Sequence, residues 1–383
     1  MRFLVGADVP PDPDSGAAGT VVQCNHALRA LGCEVQEIWS HHLGRRIQHG
    51  NLHYLIELPR TYRREVARRL AKESFDVVML SQPHAYLAGE WLHRHHPRTL
   101  FLNRTHGWEG QFDSVMRKVD PSYGTGPVRQ VMRALLARHE ARVVRVADGV
   151  IAGCREIATY LHDMYGYPVE RVGVFPHGIP ACYLDPAACP SLPARWRRIL
   201  YTGQFSAFKA PSLVAHVMNE ILARKKDVVA GWVCDAKDHH AVRSLLDPTV
   251  RDRVTLYPWM NQEALRTIYD EHGVFLFPSY YEGFGKAPFE AMARGMAVVV
   301  TRVGGLADWI QDGVNGYVLE PGDGRGLVAR VEALLDHHAL AQRIGNAGQL
   351  TAQSMTWRSH AKGILEFARL RRAATMDQVR EVS

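Results

Sequence analysis

Two glutamates, Glu282 and Glu290, stand at either end of a glycine-bearing segment that follows an apolar, strand-like run. A carboxylate can accept hydrogen bonds from two hydroxyl groups at once, which suits the diol of a ribose or the hydroxyls of another sugar. Gly283 and Gly285 free the backbone between them, and Pro288 is typical of the first turn of a helix. We therefore expect a helix N-terminus here, with Glu290 in its first turn. Such a terminus favours a diphosphate.

Each carboxylate also has an ordinary structural explanation. Glu290 would complement the dipole of the new helix, and Glu282 would be a solvated turn residue. The spacing alone does not decide between a ligand site and these roles.

The N-terminal half offers weaker candidates. His106 directly follows a predicted strand, although a lone histidine more often has a structural role. Gly16 and Gly19 lie in a Pro- and Gly-rich first loop and would allow close approach of a ligand, with Thr20 capping the next helix. The nearby Asp-Pro-Asp run lies on a proline-rich loop, and we do not interpret it as a metal site.

The elements that position these residues alternate between short apolar strands and helices. This alternation predicts parallel sheets in an α/β fold. The first series of strands and helices forms a domain of residues 1–180. A second domain of residues 181–357 begins with a proline-rich linker at residues 180–195, after which the alternation starts again. A last helix in residues 358–383 is expected to cross back to the first domain. Ligands then belong beyond the carboxyl ends of the strands, in a cleft that the two sheets face.

Composition limits the classes of function. The chain has 383 residues, a formal net charge of +7 and 46% hydrophobic residues, as in a two-domain globular protein with anionic partners. Its arginine pairs lack interleaved aromatic residues, which argues against nucleic acid. Six cysteines without a Cys-x-x-Cys pair argue against a zinc cage or a disulfide framework. We see no membrane span and no signal peptide, so we expect a cytoplasmic protein.

The segment from Glu282 to Glu290 resembles the two-glutamate signature of retaining GT-B glycosyltransferases, especially family four. The likeness includes the flanking PSYYEGFG, the following EAMARGMAVV and the later VGGLADWIQDGVNGYVLEPGD. The resemblance implies the GT-B fold: two Rossmann-like, doubly wound parallel-sheet domains, the first for the acceptor and the second for a nucleotide-sugar donor.

The resemblance also implies roles for individual residues. Glu282 would contact the donor sugar, and Glu290 the ribose. The backbone of Gly283, Phe284, Gly285 and Lys286 would surround the sugar and the phosphates. In TGQFSAFKAP, Lys209 matches a lysine that binds the diphosphate, whereas Gln204 replaces an arginine. Our own hypothesis is that Lys286 compensates for the missing charge. His106 matches a histidine that contacts the donor sugar.

The expected function is transfer of a sugar, with retention of configuration and without a metal or other cofactor, from a UDP- or GDP-sugar to a hydroxyl acceptor. A nucleotide-sugar 2-epimerase of the same fold and a non-catalytic sugar- or partner-binding relative remain as alternatives. The long basic helix near residues 128–146 would either pack as a plain amphipathic helix or touch the inner membrane face.

Overall fold

The computed structural model of the chain describes residues 1–81, 83–185 and 193–382, with side chains up to residue 376. It divides into two compact units. Unit 1 comprises Met1–Gly178 and the chain from Trp357 onward, and unit 2 comprises Ile179–Thr356.

Unit 1 is built on a parallel sheet with the strand order β2-β1-β3-β4-β5-β6. Its strands are β1 (Arg2–Gly6), β2 (Glu34–Ile38), β3 (Val77–Ser81), β4 (Leu100–Arg104), β5 (Gly149–Ala152) and β6 (Val172–Val174). Its helices are α1 (Gly16–Ala30), α2 (Ser40–Leu43), α3 (Gly50–Leu52), α4 (Leu58–Leu70), α5 (Tyr86–His95), α6 (Glu109–Val119), α7 (Pro127–Val146) and α8 (Arg155–Tyr165). A π-helical turn at His53–Glu57 connects α3 to α4.

Unit 2 carries a second parallel sheet with the order β12-β11-β10-β7-β8-β9. Its strands are β7 (Arg198–Thr202), β8 (Val229–Val233), β9 (Val254–Tyr257), β10 (Val274–Phe277), β11 (Ala297–Thr301) and β12 (Tyr317–Leu319). Its helices are α9 (Ala181–Leu184), α10 (Pro211–Arg224), α11 (His239–Leu245), α12 (Gln262–Glu271), α13 (Lys286–Ala293), α14 (Gly304–Trp309), α15 (Gly324–Asp336) and α16 (His338–Gln353). The last helix, α17 (Trp357–Val382), packs on α1 and β4 of unit 1.

The central strands explain why the sequence specifies two parallel sheets. Every residue of β3, β4, β10 and β11 is buried. Apart from polar residues at the carboxyl ends of β3, β4 and β11, these strands are apolar, as expected where helices cover both faces of a parallel sheet. The predicted α/β class with two parallel sheets is confirmed.

One local prediction, the cap of the first helix, is wrong. The cap of α1 is Ser15, whose Oγ accepts hydrogen bonds from the N–H groups of Ala18 and Gly19, because the helix begins four residues before Thr20. The end of the predicted linker lies in a short 3-10 helix, Pro193–Arg197. Arg195 is buried in unit 2, where its guanidinium donates to the carbonyls of His272 and Arg294. Residues 186–192 of that linker lie outside the described residues.

The helix lengths and compositions also bear on membrane insertion. Within the described ranges, no helix is long and apolar enough to cross a bilayer.

Candidate functional site

The sheet of unit 2 changes the direction of its strand order between β7 and β10, which are hydrogen-bonded neighbours. Ligands of open parallel sheets bind beyond the carboxyl ends of the strands at such a point. The loop after β7 comprises residues 203–210, and the loop after β10 comprises residues 278–285. The N–H of Tyr280 donates to the carbonyl of Phe208 over 2.7 Å, which joins the two loops.

An ion pair links side chains of these loops. Lys209 Nζ lies 2.5 Å from Glu282 Oε1, and the two side chains are only 15% and 8% exposed. The same ammonium lies 4.8 Å from the ring centre of Phe277, the last residue of β10. Because both charges are largely removed from water, each depends on the other for stabilisation. A ligand that binds here therefore meets a lysine and a carboxylate side by side.

The backbone around Glu282 requires glycine at two positions. Gly285, the residue before α13, has a φ of +84°, a conformation that side chains rarely adopt. Gly304 has a φ of +52°, and a Cβ atom there would lie 2.3 Å from the carbonyl oxygen of Glu282. The start of α14 therefore packs directly on the Glu282 backbone and holds it in place.

The backbone after Lys209 is also unusual. Ala210 has a φ of +54° and is the one non-glycine residue with positive φ in the described part of the chain. It directly precedes Pro211, the first residue of α10. Strained conformations of this kind cluster at ligand sites, where the surrounding structure enforces them.

Glu290 lies further along α13 than we predicted. The helix begins at Lys286, so Glu290 occupies its second turn and not its first. The hydroxyl of the buried Tyr269 donates to Glu290 Oε2 over 3.2 Å. Burial raises the pKa of the Glu290 carboxyl, and the Lys286 ammonium one turn earlier opposes that rise. Burial also lowers the pKa of Lys286. These two groups are thus poorly solvated and depend on each other or on a ligand.

The other predicted residues of unit 2 differ in exposure. Gln204 is exposed in the loop after β7, whereas Gly283 is buried. Phe284 is also buried, and its ring stacks on that of Phe289 at 4.7 Å between centres. Phe284 thus anchors the loop after β10 to α13.

The predicted residues of unit 1 lie at the carboxyl edge of its sheet. His106 follows β4, and its ring lies 6.4 Å from that of His177. A Cβ on Gly19 would lie 2.4 Å from the carbonyl oxygen of Pro13, so glycine lets the first loop fold back on α1. Gly16, the first residue of α1, is exposed and uncrowded.

A cavity of about 680 Å³ opens in unit 1 beside these residues. It lies beyond β1 and β3, where the strand order of this sheet changes direction. Asp8 lines it from the first loop, and His84, His106 and Glu109 line it from later loops and helices. Its volume is in the range of small-molecule sites in proteins.

Two buried side chains of this cavity have pKa values shifted toward their neutral forms. Burial raises the pKa of Glu109 to about 8, helped by the nearby Glu140. Burial lowers the pKa of His84 to about 3. His84 Nδ1 and Glu109 Oε2 find no hydrogen-bond partner within residues 1–81, 83–185 and 193–376. The cavity therefore has unused hydrogen-bonding capacity without a strong charge at these two positions.

The structure thus groups the predicted residues within each unit. In unit 2, Lys209 meets Glu282, and Lys286 lies near Glu290. In unit 1, His106 borders the cavity. For the described part of the chain, no cluster of three or more His, Cys, Asp or Glu side chains has metal-site geometry.

Sequence reasoning missed several residues. Tyr269, which orients Glu290, left no signal because a lone tyrosine on an amphipathic helix is usually part of the core. Ala210 gave no signal either, since alanine is rarely found at positive φ. The Gly304-Gly305 pair did provide one, because paired glycines shortly after a predicted strand indicate close backbone packing.

Two family models match the chain. "Glycosyltransferase Family 4" matches residues 15–181, and "Glycosyl transferases group 1" matches residues 196–337.

Curated relatives carry a similar description. A D-inositol 3-phosphate glycosyltransferase from Arthrobacter sp. (strain FB24) is 29% identical over 59% of this chain and 56% of its own length. One from Nocardia farcinica is 24% identical over 79% of this chain and 68% of its own length. The first alignment thus spans little more than half of the relative.

Solved structures show the fold. Sucrose-phosphate synthase from Thermosynechococcus elongatus superposes with a TM-score of 0.79 at 21% identity, over 98% of this chain and 100% of its own. The catalytic domain of starch synthase IV from Arabidopsis thaliana, bound to ADP and acarbose, gives 0.70 at 13% identity, over 97% and 99%.

Proposed function

We propose that this chain, a GT-B protein made of a Glycosyltransferase Family 4 domain and a Glycosyl transferases group 1 domain, transfers a sugar from a nucleotide diphosphate to a hydroxyl acceptor. The observation that carries the proposal is the Lys209–Glu282 ion pair at the point where the unit 2 sheet changes direction. A cation for phosphate and a carboxylate for hydroxyls stand there next to each other. A nucleotide sugar likewise carries phosphate and hydroxyl groups close to each other.

We assign the donor to unit 2. Lys209, Lys286 and the start of α13 would stabilise the diphosphate, with Gln204 donating a weaker, neutral hydrogen bond. Glu282 would hold sugar hydroxyls, and Glu290 would hold the ribose diol. The Tyr269 hydroxyl supports this role, because it fixes one Glu290 oxygen and leaves the other for a ligand.

We assign His106 and the Gly16–Gly19 loop to the transferred sugar, by the resemblance of their positions in the sequence. The cavity of unit 1 suits the acceptor. Its polar groups without partners, His84 Nδ1 and Glu109 Oε2, could bind hydroxyls of a polyol or sugar. The relatives named for D-inositol 3-phosphate support an acceptor rich in hydroxyls.

In the proposed reaction, the bond between the anomeric carbon and the diphosphate oxygen breaks as the acceptor oxygen bonds to the same face of that carbon. The hydroxyl proton passes to the departing phosphate. Retention rests on the resemblance of the Glu282–Glu290 segment. We further propose that lysines and backbone N–H groups stabilise the leaving group without a metal. We place the enzyme in the cytoplasm, in peripheral contact with the inner membrane face.

The test is calorimetric titration of UDP, GDP, ADP and their sugar conjugates without metal. We expect one nucleotide to bind, and Glu290→Ala to abolish that binding. Glu320→Ala, at a residue with a 73% exposed side chain on the same unit, is the matched control. Incubation with candidate acceptors then separates transfer from epimerisation of the donor. No binding of any nucleotide diphosphate, or equal binding by Glu290→Ala, would refute the donor assignment.

A further inference from the structure

The first half of α7 presents apolar side chains to solvent. Val128, Val131 and Leu135 are 70%, 56% and 37% exposed. Their spacing of three and four residues places them in one stripe along the helix. A plain amphipathic helix would bury such a stripe, so the exposed stripe needs another explanation.

The π-helical turn at His53–Glu57 extends this apolar surface. Tyr54 and Ile56 are 42% and 43% exposed, and α7 packs on this turn. Among the described residues, eleven large hydrophobic side chains are exposed, and five of them belong to these two elements. Single exposed apolar residues are normal, but a cluster of this kind marks an interaction surface. We call these five residues the α7 patch.

The exposed charges of α7 itself are positive. Helix α7 contains five arginines and one acidic residue, Glu140, which is buried. Arg133 and Arg142 pair with carboxylates, while Arg129 and Arg138 are exposed and lie outside ion-pair distance of any described carboxylate. An apolar surface with unpaired arginines complements an anionic lipid surface better than it complements another protein copy with the same positive charge.

The cavity of unit 1 lies next to this surface. Met132 and Leu136 each follow a patch residue on α7 and line the cavity. Tyr54 belongs to both, since it is exposed in the patch and also lines the cavity. A surface that contacts the α7 patch would therefore reach the mouth of the cavity.

We propose that the α7 patch docks on an anionic bilayer, with its apolar side chains among the lipid headgroups and its arginines on anionic lipids. Docking in this way turns the cavity mouth toward the lipid interface, so that the polar head of a lipid-linked hydroxyl acceptor can enter it. The binding step is independent of the proposed transfer, and only its use for an acceptor rests on the proposed function.

The experiment is co-sedimentation of the whole protein with phosphatidylcholine vesicles that contain no anionic lipid or about 30% phosphatidylglycerol. We expect binding to the anionic vesicles alone, weakened between about 0.1 M and 0.5 M salt. Val128→Asp with Val131→Asp should reduce binding at least about tenfold, because it removes apolar contact and adds repulsion. Leu350→Asp, at a 71% exposed residue of unit 2, is the matched control and should bind like wild type.

A second variant guards against the case in which the aspartate variant fails to fold. Arg129→Gln with Arg138→Gln leaves the apolar stripe intact and should reduce binding about thirtyfold, since each of the two arginines near an anionic surface contributes ~1 kcal/mol. Nucleotide binding by unit 2 should be unchanged in all variants, which separates failure of docking from failure of the proposed function. The proposal is overturned by absent binding to anionic vesicles at low salt. It is equally overturned if the aspartate variant binds normally, or if that variant merely breaks up a dimer that binds no vesicles.

Discussion

Replacing Glu140 by glutamine should remove the part of a pH-dependent loss of stability of unit 1 that this buried carboxyl contributes. Glu140 is 1% exposed and accepts hydrogen bonds from the Gly110 N–H at 2.8 Å and the Tyr165 hydroxyl at 3.0 Å. Burial nevertheless raises the pKa of its carboxyl from 4.5 to about 7. Glutamine is nearly isosteric, keeps an oxygen for Gly110 and does not ionise.

The sign follows from proton binding. Between pH 4.5 and 7 the folded state holds a proton on Glu140 that the unfolded state releases, so stability falls as pH rises through this window. Above the pKa of Glu140 in the folded protein, stability no longer changes with pH through this group. One pKa unit corresponds to ~1.4 kcal/mol, so a rise from about pH 5 to pH 8 should cost the wild type about 2–3 kcal/mol through this group. Glu109, whose pKa is near 8, also destabilises the folded protein as pH rises, and its titration is coupled to that of Glu140.

The assay is hydrogen exchange by mass spectrometry on peptides from α6 and α7, which reads unit 1 by itself, together with urea unfolding at a series of pH values. Glu140→Gln should flatten the pH dependence by about 2 kcal/mol. Glu170→Gln, at an exposed residue of unit 1, should leave it unchanged. A Glu140→Gln protein with the wild-type slope would refute the reasoning, because it would mean that the buried carboxyl is ionised throughout.

Three further predictions concern the loops of unit 2. Lys209→Met leaves Glu282 buried without its partner and should weaken nucleotide diphosphate binding more than about tenfold in calorimetry, whereas Lys237→Met at an exposed lysine should not. Gly304→Ala should lower the melting temperature more than Gly313→Ala, since both have positive φ but only Gly304 also meets the Glu282 carbonyl; equal losses would contradict this packing argument. Gln204→Arg should tighten diphosphate binding several-fold through a charge-assisted hydrogen bond, and Gln353→Arg, which adds the same charge on α16, should have no effect. Unchanged diphosphate affinity of the Gln204→Arg protein would show that residue 204 does not contact the phosphates.

The fold could be predicted from the sequence because its signals are local and redundant. The apolar runs that became β3 and β10 are buried throughout, so their composition alone predicts a covered parallel strand. Helix ends were less predictable. Thr20 and Ser15 are both good capping residues, and only the fold-back of the first loop over Gly19 decides that Ser15 caps α1.

The individual residues of the site could be predicted from the sequence, but the contacts between them could not. Lys209 and Glu282 are 73 residues apart, and their contact depends on β7 and β10 being neighbours in the sheet. Strand order is a property of the whole sheet, and neither loop encodes it. For the same reason the cavity in unit 1 could not be predicted, because its lining comes from the first loop, the π-helical turn, α6 and α7 together.

The charges of the proposed donor site constrain how it can bind a diphosphate. Lys209 and Lys286 are balanced by Glu282 and Glu290, and Gln204 adds no charge, so ionised forms of these residues carry no net positive charge. Attraction by side-chain charge alone is therefore weak. Burial raises the pKa of Glu290 and lowers that of Lys286, so it disfavours both charges and adds no net positive charge. The remaining affinity must come from backbone N–H groups of residues 283–286 and from the start of α13. Gly285 and the packing of Gly304 on Glu282 hold the backbone of this loop in one conformation. In the proposed donor site, these glycines would therefore contribute to affinity by fixing the direction of the N–H groups before the ligand arrives.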